Sequence, residues 1–411
     1  MAPKPVIIAG GGIGGLVTAL TLEQIGVPSV VFEAVREMRP LGVGINLQPN
    51  AVRELGDLGF SEADLDRVGL PAQEWALVGL NGADIYSEPR GRGAGYNWPQ
   101  YAVHRGLFHM MLYDRVVARL GAGAVKLGAR VAGYANNPDG SVTAHVEHAD
   151  GSTSQAEGAL LIGADGIHSA IRAQLFPDEG PPQWNGVQMW RGVTEGKPFL
   201  DGRSLVWAGW NRQKFVCYPI SKKLAGDGRA LINWIADLRF DDRVLPRRED
   251  WNRPGRLEDF LPRYESWKWP FLDVPDVIRN ARAVYEFPMV DRDPLDHWAY
   301  GRVALLGDAA HPMYPIGSNG ASQAILDAEA IADSLAAIPD PQAALRDYEA
   351  KRQPMAAGIV HMNRQQGIDV ILDIVEERAP DGFARIDDVV PRAELESIVA
   401  RYKQVAGHRQ K

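Results

Sequence analysis

Among 411 residues there is a single cysteine, Cys217. No disulfide can form within the chain, and the apolar run Phe215-Val216-Cys217-Tyr218-Pro219 suits a packing residue better than a reactive thiol. Long apolar runs are also missing, so no segment has the length to span a bilayer. Residues 1–25 hold an apolar stretch, but glycines break it, and Gly26-Val27-Pro28 follows where a small-residue cleavage site would stand. That stretch reads as a first strand and helix, with the cytoplasm as the default compartment. Positive charge is not in excess: Lys and Arg number 44 against 52 Asp and Glu, a formal charge of -8. This balance gives no reason to propose a nucleic-acid partner. His104, His109, His168, His297 and His311 lack metal-ligand spacing, so no metal is expected. Nothing decides between monomer and homodimer.

What is present is glycine in particular places. Pro5-Val6-Ile7-Ile8-Ala9 reads as a short buried strand, followed at once by Gly10-Gly11-Gly12-Ile13-Gly14-Gly15 and then by the helical composition of 16–24. Val30-Val31-Phe32-Glu33 supplies a second strand and completes a βαβ unit. Gly10 permits the tight turn, Gly12 lets the backbone approach a pyrophosphate, and Gly15 lets the helix sit close to the sheet. The helix start offers free N–H groups to phosphates, and Glu33 can take a ribose hydroxyl pair. This unit alone does not choose between NAD and FAD.

Two later segments narrow the choice. Leu160-Leu161-Ile162-Gly163-Ala164 reads as a strand that delivers Asp165-Gly166 to a turn, with a helix starting near Ser169. Arg172 could brace that turn or form an ordinary ion pair. Arg302-Val303-Ala304-Leu305-Leu306 is a further strand ending in Gly307-Asp308, where a carboxylate suits ribityl hydroxyls. Pro315-Ile316-Gly317-Ser318-Asn319-Gly320 then leads into a helix whose first amides can face the edge of a flavin ring. Three such signatures around one large cofactor point to FAD.

In this order and placement the three segments resemble the class A FAD-dependent aromatic monooxygenases, the para-hydroxybenzoate hydroxylase-like superfamily. The resemblance covers nearly the whole chain. A closer resemblance is to the phenazine-modifying flavin hydroxylases, particularly 5-methylphenazine-1-carboxylate 1-monooxygenase, through 42–51 and 311–323. It implies FAD contacts at Gly10, Gly12, Ile13, Gly14, Gly15, Glu33, Arg36, Gly44, Arg105, Asp165, Gly166, Gly307, Asp308, Pro315, Gly317, Ser318, Asn319 and Gly320. NADH or NADPH would act as a transient co-substrate, since no second glycine-rich βαβ unit is present to hold it.

The fold expected is α/β: a Rossmann-like FAD-binding lobe, a second antiparallel-sheet substrate lobe and a helical C-terminal section. The boundaries are 1–180 for the first part of the FAD lobe, 181–285 for the substrate sheet, 286–345 for the return segment and 346–411 for the helical section. Alternation in 187–193, 205–210, 214–220 and 231–236 supports the second sheet. Residues 281–290 are expected to carry the chain back toward the cofactor lobe. Trp190, Trp207, Trp210, Phe215, Tyr218 and Pro315 are candidate pocket residues, though alternation does not say which face each occupies and core packing explains each individually. Arg191 is a candidate carboxylate anchor or a structural ion pair.

The resemblance implies an NAD(P)H- and dioxygen-dependent hydroxylase working through a flavin C4a-hydroperoxide on a phenazine-like or related fused-ring acid, with or without loss of a ring carboxylate. A salicylate- or hydroxybenzoate-type hydroxylase, a flavin oxidase or dehydrogenase without oxygen insertion, and a non-catalytic FAD-binding regulator remain alternatives. No residue has the surroundings of an essential base; His311 and Tyr218 are the candidates for acid–base or polar contact.

Overall fold

The computed structural model describes residues 4–241 and 253–405. Two large sheets organise it. The first has six strands in the order Ala299–Tyr300, Val303–Leu305, Leu160–Gly163, Val6–Ala9, Ser29–Glu33, Val125–Leu127. All of its neighbours run parallel except the pair 299–300 and 303–305. Val6–Ala9, Leu160–Gly163 and Val303–Leu305 are buried throughout, as strands covered on both faces must be. The helix Ile13–Gln24 lies against the long helix Gly320–Ala337, where Thr21 Oγ1 donates to the Ala328 carbonyl. Each large aliphatic side chain buried there contributes roughly 1.5–3 kcal/mol.

The second sheet has seven strands in the order Val284–Asp291, Gln183–Gly196, Ala230–Arg239, Gln213–Pro219, Ser204–Trp210, Glu74–Val78, Asp84–Pro89. It is antiparallel apart from the parallel pair 204–208 with 74–78. Two of its strands come from 74–89, inside the stretch assigned by sequence to the cofactor lobe. Val284–Asp291 is an edge strand of this same sheet and does not yet return the chain to the first one. One face is covered by an aromatic layer built from 257–278, the other by the C-terminal helices Val370–Arg378 and Arg392–Val405.

A small sheet of Gly44–Leu47, Gln100–His104 and Gly69–Ala72 joins the two halves. Among the described residues, no helix is long and apolar enough to cross a membrane.

Candidate active site

Val6–Ala9, Leu160–Gly163 and Val303–Leu305 are adjacent parallel strands, so the three signature turns emerge side by side at their carboxyl ends. That rim is where open α/β sheets hold their ligands. Gly10 has φ +103°, and a Cβ on it would lie 2.4 Å from the Ala164 carbonyl oxygen of the neighbouring turn. A Cβ on Gly15 would lie 2.0 Å from the Gly10 oxygen, and one on Gly14 would lie 2.5 Å from Leu306 Cδ2. Gly12 and Gly166 are different: nothing lies within 4 Å of the Cβ each lacks. The helix Ile13–Gln24 begins at Gly12 with no side chain capping it, leaving its first amides toward that open space.

The carboxylates of the rim are held by backbone. Glu33 accepts from the Gly11 amide at 2.7 Å and the Val35 amide at 2.9 Å. Asp165 Oδ2 accepts from the Ala170 amide at 2.7 Å, while Oδ1 is buried without a partner. Burial raises the Asp165 pKa, and hydrogen bonds from Ser169 and the helix start oppose that shift. Asp308 and Arg105 keep much solvent-accessible surface yet sit within a recess. The surrounding protein raises the Asp308 pKa against the pull of His311 and Arg105, and desolvation lowers that of Arg105. A Cβ on Gly320, the first residue of its helix, would lie 4.0 Å from Asp308 Oδ1. Open helix amides, an orphaned acceptor at Asp165 and this recessed pair fit a bound dinucleotide.

Arg172 does something the sequence left open. Its guanidinium is fully buried and donates to the carbonyls of Ala309 and Ala310 at 3.1 and 2.8 Å, to Asp293 O at 2.9 Å and to Glu179. It therefore ties the second signature to the third, not to the Asp165-Gly166 turn. Arg36 donates to the Ala149 carbonyl on a neighbouring hairpin.

The segment 315–320 is bent at two left-handed residues, Gly317 (φ +72°) and Ser318 (φ +56°). Side chains hold it: Gln48 Nε2 donates to Gly317 O at 3.4 Å, Asn46 Nδ2 to Ser318 Oγ at 3.3 Å, and Asn319 Nδ2 to Tyr402 Oη at 2.7 Å. Pro315 stands exposed beside them. A Cβ on Gly317 would meet Tyr402 Oη at 1.7 Å, so the C-terminal helix seats directly on this loop.

Gly44 joins the halves. Its amide donates to Asn233 Oδ1 at 2.6 Å, and its carbonyl accepts from Arg191 at 2.7 Å and Tyr218 Oη at 3.1 Å. Arg191 also lies 5.5 Å from the Phe287 ring centroid. Its guanidinium thus braces the cofactor-side strand. Burial pushes the Tyr218 hydroxyl up to about 12, with Arg191 opposing, which leaves it a hydrogen-bond donor and not a proton shuttle at neutral pH.

His311 is likewise occupied. Buried against Trp298, its Nε2 lies 2.5 Å from Asp327 Oδ2, and Arg352 Nε lies 2.8 Å from Asp327 Oδ1. Asp327 also accepts from the Gly307 amide at 3.1 Å. This triad anchors the third turn from behind through His311 Nε2, while Nδ1 is buried without a partner. Burial also pushes the Cys217 thiol up, in keeping with a packing role.

The aromatic candidates divide by face. Trp190 stacks on Phe260 at 4.8 Å, and Phe215 on Trp234 at 6.2 Å, both within the layer turned away from the rim. Core packing explains these two, and they leave the pocket set. Trp207, Trp210 and Tyr218 lie on the face toward the C-terminal helices. Trp207 lines a hollow of about 20 Å³ with Trp75, Arg90, Gln48, Gln100, Gly317, Ser318 and Tyr402. Sequence reasoning missed Trp75, Arg90, Asn233 and Tyr402. For the first two a signal existed: Asn81-Gly82 between alternating runs marks a hairpin.

The chain matches the FAD binding domain family over residues 4–253 and 272–363. It is 43% identical over 403 residues to a phenazine 1,6-dicarboxylic acid hydroxylase of Lysobacter antibioticus, covering 97% of this chain and 96% of that one. That relative belongs with the phenazine resemblance, but its substrate differs from the 5-methylphenazine-1-carboxylate of the enzyme resembled in sequence. A salicylate hydroxylase–substrate complex superposes with a TM-score of 0.74 at 26% identity, covering 100% of this chain and 96% of the other. Klebsiella pneumoniae HpxO, complexed with FAD and uric acid, gives 0.72 at 25% identity, with 98% and 93% covered. The chain therefore belongs to the FAD binding domain family, among the FAD-dependent NAD(P)H aromatic hydroxylases of the para-hydroxybenzoate hydroxylase-like superfamily.

Proposed function

We propose that this hydroxylase acts on a phenazine-like or related fused-ring aromatic acid, with or without loss of a ring carboxylate as the hydroxyl enters. The near-full-length likeness to the phenazine dicarboxylic acid hydroxylase carries this reading. The two tryptophans beside the flavin-edge loop support it, because flat rings stack well against such walls.

In this proposal the amides at Gly12, Ile13 and Gly14 receive the pyrophosphate, Glu33 a ribose, and Asp308 with Arg105 the ribityl side. Gly10, Gly15, Gly166 and Gly307 give the backbone room for that approach, and Asp165 holds its turn. Gly44, Pro315, Gly317, Ser318, Asn319 and Gly320 border the ring, where the amino end of the helix Gly320–Ala337 favours negative charge. When bound, FAD supplies the redox chemistry, taking hydride from NADH or NADPH and activating dioxygen for insertion into the ring. The protein's own residues place the substrate and exclude water, through Trp75, Leu205, Trp207, Ile368 and Val399. Tyr218 Oη and His311 Nε2 are already engaged, so neither moves a proton in this scheme.

Anaerobic reduction of the bound flavin by NADH and NADPH tests the reading, with phenazine carboxylic acids, quinoline acids and hydroxybenzoates as effectors. A large acceleration by fused-ring acids, and label in the product of a separate turnover under ¹⁸O₂, are the expected results. Acceleration by hydroxybenzoates alone would favour the second reading, which the likeness to salicylate hydroxylase supports. Fast unassisted reduction with no label in product would favour an oxidase or dehydrogenase.

A further inference from the structure

The hollow beside Ser318 carries more charge chemistry than an aromatic wall needs. Its charged lining among the described residues is Arg90, Lys403 and Glu88, which leaves one net positive charge facing a confined space. Arg90 Nε is buried with no hydrogen-bond partner, and so is Trp75 Nε1. The Arg90 guanidinium lies 4.9 Å from the Trp75 ring centroid, which fixes its plane. Its NH1 is 3.2 Å from Glu88 Oε1, but that oxygen makes no hydrogen bond; Glu88 Oε2 is taken by Lys403 Nζ at 2.7 Å and Tyr86 Oη at 3.2 Å. Burial lowers the Arg90 pKa, the expected cost of a cation whose counter-charge is poorly placed. Arg191, the anchor suggested by sequence, also has a buried Nε without a partner, but it donates through its other end to the Gly44 carbonyl and does not line this hollow.

We propose that Arg90 is the residue that selects for a carboxylate on the aromatic substrate, its Nε edge and the Trp75 indole N–H together receiving one carboxylate while Trp207 walls the ring. This rests on the reading of the protein as an aromatic-acid hydroxylase and adds which residue recognises the acid. One net positive charge suits one carboxylate at this subsite. The hollow of about 20 Å³ holds a water molecule and not a ring. A ring therefore needs the lining to move apart, and Val399, Tyr402 and Lys403 of the C-terminal helix Arg392–Val405 form part of that lining.

The test uses FAD-loaded wild type, Arg90→Gln, Arg90→Lys and Arg191→Gln, each checked for flavin content. Binding of phenazine-1-carboxylic acid and its carboxamide, and of salicylate and salicylamide, is followed by the flavin absorbance change. Arg90→Gln is expected to weaken the acid on the order of 30-fold or more while leaving the amide nearly unchanged. Arg90→Lys should recover part of the acid's affinity, and Arg191→Gln should not separate acid from amide. Equal weakening of acid and amide by Arg90→Gln, or no effect on either, overturns the proposal. If wild type binds salicylate and no phenazine acid, the fused-ring reading fails while Arg90 is still judged on the salicylate pair. If wild type binds none of the acids, both are overturned.

Discussion

At the rim of the six-stranded sheet the site is made chiefly of backbone, with a few carboxylates and Arg105; on the seven-stranded sheet it is made of side chains. Gly10, Gly12, Gly14 and Gly15 matter for what they lack, and each missing Cβ is a contact or an opening. Across the cleft, Arg90, Arg191, Tyr218 and Trp207 matter for what they reach; for the three that lie in strands, residues two away share their face while adjacent ones do not. Backbone demands restrict residue type at fixed spacing, so they leave a readable pattern. A side-chain pocket on a sheet leaves only alternation, which is shared with every buried strand.

If that contrast holds, the largest effects follow from adding atoms to the rim. Gly15→Ala forces a Cβ to within 2.0 Å of the Gly10 oxygen. It should cost on the order of 4 kcal/mol and abolish FAD retention, read from the flavin-to-protein absorbance ratio after gel filtration. Normal flavin content would show that the turn yields freely.

Next comes the support behind the third turn. Asp327→Asn breaks a buried pairing with His311 and Arg352 and should lower stability by about 3 kcal/mol. Burial raises the Asp327 pKa, but His311 and Arg352 outweigh it and hold the carboxyl at about 2. An unfolded carboxyl titrates near about 3.9, so the stabilisation is complete above that value and is lost as pH falls through the folded one. The gap in unfolding midpoint between wild type and variant should therefore be full at pH 7 and shrink between about pH 4 and pH 2. A gap independent of pH would remove the carboxylate from the account.

Smaller again is Asp308→Ala, expected to weaken FAD binding by roughly 10- to 100-fold through loss of a charge-assisted hydrogen bond, measured by flavin fluorescence on titration. Smallest is a paired test of the sheet's two faces. Trp207→Leu should raise substrate KM with a modest change in melting temperature, whereas Phe215→Leu should lower melting temperature by the equivalent of about 1–3 kcal/mol and leave KM alone. The reverse pattern would invert the assignment of faces.

The strands 6–9, 29–33, 160–163 and 303–305 and the helices starting near 13, 170 and 320 were legible because buried parallel strands ending in glycine turns have few other readings. The strands at 183–239 were legible as strands, but the side of the sheet was not. Trp190 and Phe215 were as good candidates as Trp207 until the aromatic layer of 257–278 claimed them. Placing 74–89 in the second sheet required a pairing with 204–208 more than a hundred residues away, for which no local pattern exists. The Asn81-Gly82 turn marks the hairpin that carries Trp75 and leads to Arg90, but not the sheet it joins, so their place at the site was hidden. Arg191 was noticed for its chemistry, yet its partner is a carbonyl, which no sequence displays.

Arg172 holds the Ala309 and Ala310 carbonyls, so a turn near the middle of the chain is completed by one made much later. During synthesis the glycine turn at 10–15 is outside the ribosome long before Gly307 and Asp308 exist. A chain stalled before residue 307 therefore carries two of the three turns and leaves the Arg172 guanidinium without the two carbonyls it holds in the finished fold.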